Sequence, residues 1–420
     1  MKAQADMDTT SGGIGIQPWM RTPETRAVMA ALAAAGGEAR FVGGCVRNAL
    51  TGHPVDDIDI ATTLTPGQVI AALEAAKLKA VPTGLDHGVV TAVAGGKPFE
   101  ITTLRRDVET DGRRAVVAFT ADWSEDAQRR DFRLNALYAD GEGRLFDPTG
   151  EGEADARAGR IIFVGDPETR IREDALRILR FFRFLAWYGR GEPDAAALAA
   201  CARLRDLLAG LSAERVSKEL LKLLAADDPR PAVRLMTQSG VAALILPEAT
   251  GLARFERLVA IETEQLFECD ADLRLAALLP DDPTIGAKVA ARLRLSNAQR
   301  DRLVGALGTD VRIVSWMSPR ESRRAIYRLG AQPFCDRVKL AWASGGSATQ
   351  WRALMAVAQT WAVPRLPLIG QEVMAAGVPE GPLVGQVLRE VEDWWIDQDF
   401  TGDKLSIVER LKAVAQGLAR

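Results

Sequence analysis

Histidine and cysteine are scarce in this chain of 420 residues, and their scarcity excludes several kinds of site. The two histidines, His53 and His87, both lie in the N-terminal quarter and are too few for most histidine-based metal centres. The four cysteines lie far apart and form no C-x-x-C pair. Neither a structural zinc site nor a disulfide-stapled scaffold is therefore expected.

Long apolar runs and an excess of charge of one sign are also missing. No stretch approaches the roughly 18 uninterrupted apolar residues of a membrane span, so the sequence indicates no membrane association. The first 15 residues lack a basic segment followed by an apolar core, and we expect a cytoplasmic protein. A formal net charge of −3 neither indicates nor excludes a nucleic-acid partner, because binding depends on where the basic groups lie.

What is present predicts a folded protein of the α+β class. Hydrophobic residues make up 47% of the chain, which is ordinary for a globular protein. Residues 1–20 are predicted to be a flexible tail, 21–150 a small domain of sheet and helices, and 151–420 all-helical. The predicted strands are 39–42, 55–61, 89–93 and 99–104, with helices at 46–50 and 66–78, and a short hairpin over 134–139 and 144–147.

The segment 105–130 is rich in charge and has little periodicity, which predicts a long, mobile, functional loop. From residue 155 the period becomes helical. Asp166-Pro167 indicates a helix start, and an apolar stripe follows through Ala175, Leu179 and Phe182.

The strongest constellation is the run F-V-G-G-C-V-R ending at Arg47, followed by Asp57 and Asp59. A diglycine between strand and helix, Gly43-Gly44, allows a sharp bend and lets a phosphate approach backbone N–H groups. Arg47 could then pair with phosphate oxygens. Two carboxylates at i and i+2 on a strand point to one face and could hold two Mg²⁺ ions against a triphosphate. A lone D-x-D is usually a solvated strand face, but here the strand, diglycine and arginine precede it in order.

Three further groups of residues are candidates, each with an ordinary alternative. Glu100, within a β-branched run, is the candidate third carboxylate; otherwise it is an edge-strand residue facing water. In the run from Arg129 to Leu137, Arg130 could hold phosphate and Asp131 a ribose hydroxyl, unless the run is a solvated charged segment. Asp174 and Arg177, at i and i+3, are predicted neighbours on one helix, where an intrahelical ion pair is the commoner meaning.

Together these motifs resemble the class II tRNA nucleotidyltransferases, which comprise the CCA-adding enzymes and the bacterial poly(A) polymerases. The resemblance covers roughly residues 38–225 and is weak beyond 230. It rests on the runs G-G-x-V-R ending at Arg47, D-I-D-I-A-T from Asp57, E-I-T-T-L-R from Glu100, R-R-D-F from Arg129, N-A-L from Asn135, E-D-x-x-R from Glu173 and S-x-E-R-x-x-x-E-L-x-K from Ser212. Asn48 departs from the pattern, because the family often has Asp after the arginine.

The resemblance implies a head over 21–150, a neck that reads the base over 151–230, and a body and tail that hold tRNA over 231–420. It implies addition of C, C and A to the tRNA 3′ end from CTP and ATP, with Mg²⁺ on Asp57 and Asp59. The implied catalytic residues are Asp57, Asp59 and Glu100. The implied nucleotide-binding residues are Gly43, Gly44, Arg47, Arg130, Asp131, Asn135, Asp174, Arg177 and Arg180.

The base-reading role has a physical basis. Cytosine and adenine each present an amino donor beside a ring-nitrogen acceptor, whereas uracil and guanine present the reverse. Because an ionised Asp only accepts and Arg only donates, Asp174 and Arg177 together would select C and A. A poly(A) polymerase and a non-catalytic RNA-binding protein remain alternatives, and the sequence does not determine the oligomeric state.

Overall fold

The computed structural model describes residues 12–111 and 114–418, and it divides the chain into two compact units, residues 1–247 and 248–420. Within the described residues, every strand belongs to the first unit. The strands are β1 (Ala39–Val42), β2 (Asp59–Thr62), β3 (Lys79–Gly84), β4 (Val89–Ala94), β5 (Lys97–Thr103), β6 (Arg105–Asp111), β7 (Arg114–Phe119), β8 (Tyr138–Ala139) and β9 (Leu145–Phe146).

Seven of these strands form one mixed sheet in the order β3-β4-β5-β2-β1-β8-β9, and β6 and β7 pair as a separate hairpin. Within the larger sheet, β2 and β5 run parallel and the other neighbours run antiparallel. The parallel register places Asp59 opposite Glu100. The topology therefore brings two residues that are 41 positions apart in sequence to one place on the sheet.

The helices of the first unit surround this sheet and continue beyond it. They are α1 (Pro23–Ala34), α2 (Gly44–Thr51), α3 (Pro66–Ala75), α4 (Trp123–Gln128), α5 (Gly152–Ala158), α6 (Pro167–Glu173), α7 (Leu176–Tyr188), α8 (Ala195–Arg203), α9 (Ala213–Leu224), α10 (Arg230–Gln238) and α11 (Val241–Ile245). Local chemistry sets several starts. Pro66 occupies the first turn of α3, where Gln68 accepts from the Thr65 N–H at 2.9 Å. Asp166 caps α6 by accepting from the Thr169 N–H at 2.8 Å.

The described part of the second unit consists of helices joined by loops. They are α12 (Leu252–Gln265), α13 (Ala271–Leu278), α14 (Pro283–Arg292), α15 (Asn297–Ala306), α16 (Pro319–Leu329), α17 (Ala331–Ala343), α18 (Ala348–Thr360), α19 (Gly370–Ala375), α20 (Pro382–Asp397) and α21 (Lys404–Leu418). A fully buried ion pair joins Arg274 of α13 to Glu262 of α12 at 2.6 Å. No described helix is both long and apolar enough to cross a membrane.

The α+β class and the all-helical region after residue 150 are confirmed. The predicted strand at 39–42 is β1, and the strands at 89–93 and 99–104 are β4 and β5. Leu179 and Phe182 of the predicted stripe are buried, and the stripe lies on α7.

The prediction of a long loop over 105–130 is wrong. The segment forms the hairpin β6–β7 and then α4; residues 112 and 113 lie outside the described residues. Pairing between the two strands satisfies their facing backbone groups, and the outward groups can bind water, so a hairpin can form without the apolar periodicity on which the prediction depended.

Two boundaries also differ from prediction. The flexible tail does not extend to residue 20, because Gly13 pairs with Arg144 and Met20 is buried. Residues 1–11 lie outside the described residues. The strand predicted over 55–61 begins only at Asp59, so the preceding residues are extended chain without strand pairing.

Candidate active site

The diglycine forms a tight bend between β1 and α2. Gly43 has φ +68° and ψ −118°, a conformation that residues with a Cβ avoid. A side chain there would also lie about 3.6 Å from Nη1 of Arg130. The Gly43 N–H donates to the Leu137 carbonyl at 3.2 Å, so it is not free for a phosphate. The first amides of α2, which have no acceptor within the helix, are the ones left to bind an anion.

Three carboxylates lie near this bend. Asp59 is the first residue of β2 and is half-buried, with Glu100 opposite it on β5. Asp57 is exposed and precedes the strand, so the prediction that both aspartates stand on one strand face is wrong. Glu100 is exposed on an interior strand, so it is neither buried nor at a sheet edge.

The pKa of Asp59 reflects the negative charge of the two other carboxylates. Burial and the neighbouring Glu100 and Asp57 raise the pKa of Asp59 to about 6, although Arg130 and Arg47 act in the opposite direction. An ionised Asp59 is therefore short of positive charge, which a bound cation would supply.

The donor set fits a hard divalent cation held partly by substrate. Among the described residues, no three His, Cys, Asp or Glu side chains are grouped closely enough to form a metal cage. Mg²⁺ typically binds one or two carboxylates together with substrate phosphates and does not require an all-protein cage. Asp57 and Asp59 could supply the carboxylates, with Glu100 adding negative field.

Arg130 is held in place by a buried clasp centred on Asp126 of α4. The Asp126 carboxylate, 1% exposed, accepts from Arg130 at 2.9 Å, from Arg129 at 2.6 Å and from the Tyr138 hydroxyl at 2.7 Å. Burial alone would raise the pKa of Asp126, but Arg130 and Arg129 outweigh it and hold that pKa well below its usual range. The clasp leaves Nη1 of Arg130 directed toward Gly43, where it could meet a phosphate.

Arg47, Asn135, Asp131 and Arg180 form a chain of hydrogen bonds from α2 to α7. Arg47 donates to Oδ1 of Asn135, and Nδ2 of Asn135 donates to Asp131 at 2.9 Å. Asp131 also accepts from Nε of Arg180 at 2.7 Å and from the Phe132 N–H at 2.8 Å. Burial would raise the pKa of Asp131, but Arg180 outweighs it and lowers that pKa.

This chain occupies two residues that were predicted to bind nucleotide. Arg47 is buried and donates to Asn135, Asn48 and Tyr188, so in the described structure it stabilises the loop, and its phosphate contact stays a prediction. Both Asp131 oxygens accept from protein donors in the described structure, so a ribose hydroxyl would have to share or replace one of these bonds, and that contact stays a prediction.

Asp174 and Arg177 do not share one helix. Asp174 ends α6 with extended backbone (φ −152°, ψ 105°), and Arg177 lies in the first turn of α7. Asp174 accepts from Arg215 of α9 at 2.7 Å. Arg177 donates to Glu173 at 2.5 Å and to the Arg129 carbonyl at 3.1 Å. The two side chains are not paired with each other, which removes the intrahelical ion pair as the explanation of the motif.

Several residues of the site were not predicted from the sequence. Asp126 precedes Arg129 and Arg130 by three and four residues, a helical spacing that could have indicated the clasp. Tyr138, Arg170 and Tyr188 reach the site only through tertiary contacts, so no local pattern marks them. Cys45, next to the diglycine, is buried, and burial raises its pKa to about 11, so it is a small core residue that stays protonated at neutral pH.

Comparisons with known proteins identify the family of the chain. Residues 39–162 match the family described as "Poly A polymerase head domain", and residues 192–252 match "Probable RNA and SrmB- binding site of polymerase A". The "CCA tRNA nucleotidyltransferase 1, mitochondrial" of Mus musculus is 32% identical over 392 residues, which cover 89% of this chain and 86% of that protein. The chain belongs to the class II CCA-adding enzyme and poly(A) polymerase family. The resemblance found in the motifs is thereby confirmed.

Solved structures extend the likeness to the whole fold. The crystal structure of the Bacillus stearothermophilus CCA-adding enzyme in complex with CTP has a TM-score of 0.77 and 27% identity, covering 95% of this chain and 99% of that one. The Thermotoga maritima CCA-adding enzyme complexed with tRNA has a TM-score of 0.66 at 20% identity, covering 93% and 94%, and bears on the fold alone. Family membership thus reaches beyond residue 230, where the motifs are weak.

Proposed function

We propose that this protein is a CCA-adding tRNA nucleotidyltransferase, which adds C and A to the 3′ end of tRNA from CTP and ATP. The observation that carries the proposal is the register that places Asp59 opposite Glu100, with Asp57 two residues earlier in the chain, together with Arg130 beside Gly43 at the Gly43–Gly44 bend. The relatives of known structure include complexes with CTP, ATP and tRNA. In the reaction, the tRNA 3′-hydroxyl attacks the α-phosphate and pyrophosphate leaves.

Each residue of the head has a defined task in this proposal. Asp57 and Asp59 would hold Mg²⁺, as one or two ions. A bound divalent cation would lower the pKa of the attacking hydroxyl and neutralise charge on the triphosphate. Arg130, fixed by Asp126, would present Nη1 to the triphosphate, and the first N–H groups of α2 would donate to a phosphate oxygen.

Asp174 and Arg177 would choose the base. Their separation on two helices supports this role, because each side chain can present its polar edge independently. Arg215 holds Asp174, and Glu173 holds Arg177, in the absence of a nucleotide. Asp174 would accept from the amino group of C or A, and Arg177 would donate to the ring nitrogen.

The division of labour along the chain follows from this assignment. Residues 21–150 would form the head, 151–230 the neck that reads the base, and 231–420 the body and tail that hold tRNA. The neck range contains Asp174, which directly follows α6, and Arg177 and Arg180 on α7.

Product sequencing provides the direct test. The full chain is incubated with tRNA that lacks its 3′ end, Mg²⁺ and all four nucleotides, and the product ends are sequenced. C-C-A ends support the proposal. A run of A residues, unaffected by omission of CTP, would instead identify a poly(A) polymerase, and unextended ends would indicate a non-catalytic RNA-binding protein.

A further inference from the structure

The segment that carries Asp57 has few anchors. Residues 53–58 lie between α2 and β2 and take no part in the sheet. The His53 N–H donates to the Asn48 carbonyl at 2.9 Å, and Nδ2 of Asn48 donates to the Pro54 carbonyl at 2.6 Å. In the described structure, Pro54 is the last residue before Asp59 that receives a hydrogen bond. The position of Asp57, three residues after Pro54, therefore depends on Asn48.

Asn48 is itself held from the other side. Its Oδ1 accepts from Nη2 of Arg47 at 2.9 Å and from the hydroxyl of Tyr188 at 3.1 Å. Tyr188 is the last residue of α7, and its ring lies 4.2 Å from the Arg47 guanidinium and 4.9 Å from the His53 ring. Asn48 thus connects the end of α7 to the segment that precedes Asp57.

The choice of Asn at this position has a chemical consequence. An amide both accepts and donates, whereas an ionised Asp only accepts. The Asp that relatives often have here could keep the contacts with Arg47 and Tyr188 but could not donate to the Pro54 carbonyl.

We propose that Asn48 is a positioning residue that sets Asp57 relative to Asp59, and so sets the affinity of the site for its divalent cation in response to α7. This inference rests on the proposed metal role of the two aspartates. It adds to that role a residue that touches neither nucleotide nor metal.

The test isolates the donor to Pro54. In Asn48→Asp, the Mn²⁺ affinity of the protein with CTP and without tRNA is measured by electron paramagnetic resonance of free Mn²⁺. We expect binding about three- to tenfold weaker, the range given by loss of one hydrogen bond. The Mg²⁺ concentration for half-maximal CMP addition should rise by the same factor, while kcat at saturating Mg²⁺ stays within about twofold. Unchanged Mn²⁺ affinity, or a kcat loss that saturating Mg²⁺ does not restore, would overturn the proposal.

Two further variants test whether the effect of Asn48→Asp is specific to this network. Asn297→Asp makes the same chemical change at an exposed position of α15 and should leave Mn²⁺ affinity unchanged. Tyr188→Phe removes the hydroxyl but keeps the ring, and should shift Mn²⁺ affinity in the same direction by less. In the double variant, Tyr188→Phe should weaken Mn²⁺ binding little beyond the effect of Asn48→Asp alone, because both residues act through one network. If the two effects on Mn²⁺ affinity add fully, the link to α7 is contradicted. Failure of the wild-type protein to extend tRNA would refute the proposed function, a result distinct from any of these.

Discussion

The ionised carboxylate of Asp59 lowers the stability of the native state. Its pKa of about 6 lies above the ordinary value of 3.8, so the native state binds this proton more tightly than the unfolded chain does. Stability therefore falls as the pH rises from about 4 to 6, and the cost persists above that range unless a cation binds. Such a cost in stability is typical of functional sites.

Asp59→Asn should therefore abolish nucleotide addition and yet stabilise the metal-free protein. Without metal at pH 8, the Tm should exceed that of the wild type, because the substitution removes repulsion by Glu100 and Asp57. At pH 4 the difference should vanish, because Asp59 is then protonated. Thermal denaturation in EDTA at both pH values measures this. Asp206→Asn, at a site 85% exposed, is the control and should change neither Tm. Retention of more than a few per cent of wild-type turnover would refute the metal role.

Protons and the cation should also compete at Asp59. At low Mg²⁺, activity should fall as the pH drops through about 6, because protonation removes the carboxylate that binds the cation. Raising Mg²⁺ should move the midpoint of this fall to lower pH. A pH–rate profile at two Mg²⁺ concentrations measures the shift, and a midpoint independent of Mg²⁺ would exclude Asp59 as the group responsible.

Mutation can distinguish the role of Arg177 from that of Arg170. Both Arg177 and Arg170 donate to the Arg129 carbonyl, but only Arg177 is proposed to read the base. Arg177→Ala should weaken CTP and ATP use by about 2–3 kcal/mol for the lost charged contact and should favour UTP and GTP in relative terms. Arg170→Ala should lower the incorporation of all four nucleotides by one common factor. Single-nucleotide incorporation measures the effect of each variant. If Arg177→Ala also lowers all four by a common factor, Arg177 is a structural residue and does not read the base.

At the scale of elements, the sequence predicted those strands and helices whose boundaries are set by residues within the element or next to it. β1, α2 and α3 follow from the strand, diglycine and Thr65-Pro66 signals within a few residues of each element. The β6–β7 hairpin was missed because its strands lack apolar alternation. The break between α6 and α7 at Asp174 does not follow from local patterns, because it is stabilised by a tertiary contact with Arg215. For the same reason, the sequence identified Arg47 and Asp131 as part of the site but not their mutual connection through Asn135.

The Asp126 clasp makes α4 a support for the site. Asp126→Asn leaves Arg129 and Arg130 without their buried counter-charge and should destabilise the protein by about 3–5 kcal/mol at pH 7. Because the pKa of Asp126 is lowered in the native state, this contribution is present above about pH 4 and is lost as the pH falls further. Urea denaturation should show that the free energies of unfolding of the wild type and of Asp126→Asn differ less at pH 3.5 than at pH 7. Asp122→Asn, which alters only the N-cap of α4, should cost no more than about 1 kcal/mol.

At the scale of the whole molecule, a net charge of −3 does not prevent cations from clustering locally in the first unit. On α9, Lys218 and Lys222 are exposed. Burial is the main cause that lowers the pKa of Lys222, and the nearby cations Arg183 and Lys218 lower it further, so three cations lie near one another here. A polyanion such as tRNA would therefore be attracted to this part of the chain despite the overall sign.

Binding of tRNA should accordingly weaken steeply with salt. Each phosphate contact releases condensed counterions, so the logarithm of the affinity falls linearly with the logarithm of the salt concentration. Replacing Lys218 and Lys222 together by Glu should lower tRNA affinity and make this slope shallower by about 1–2. Lys79→Glu, on the edge strand β3, adds negative charge to the same unit and should leave the slope unchanged. Filter binding at 50–200 mM salt measures all three proteins, and an unaltered slope in the α9 variant would place the tRNA phosphates elsewhere on the molecule.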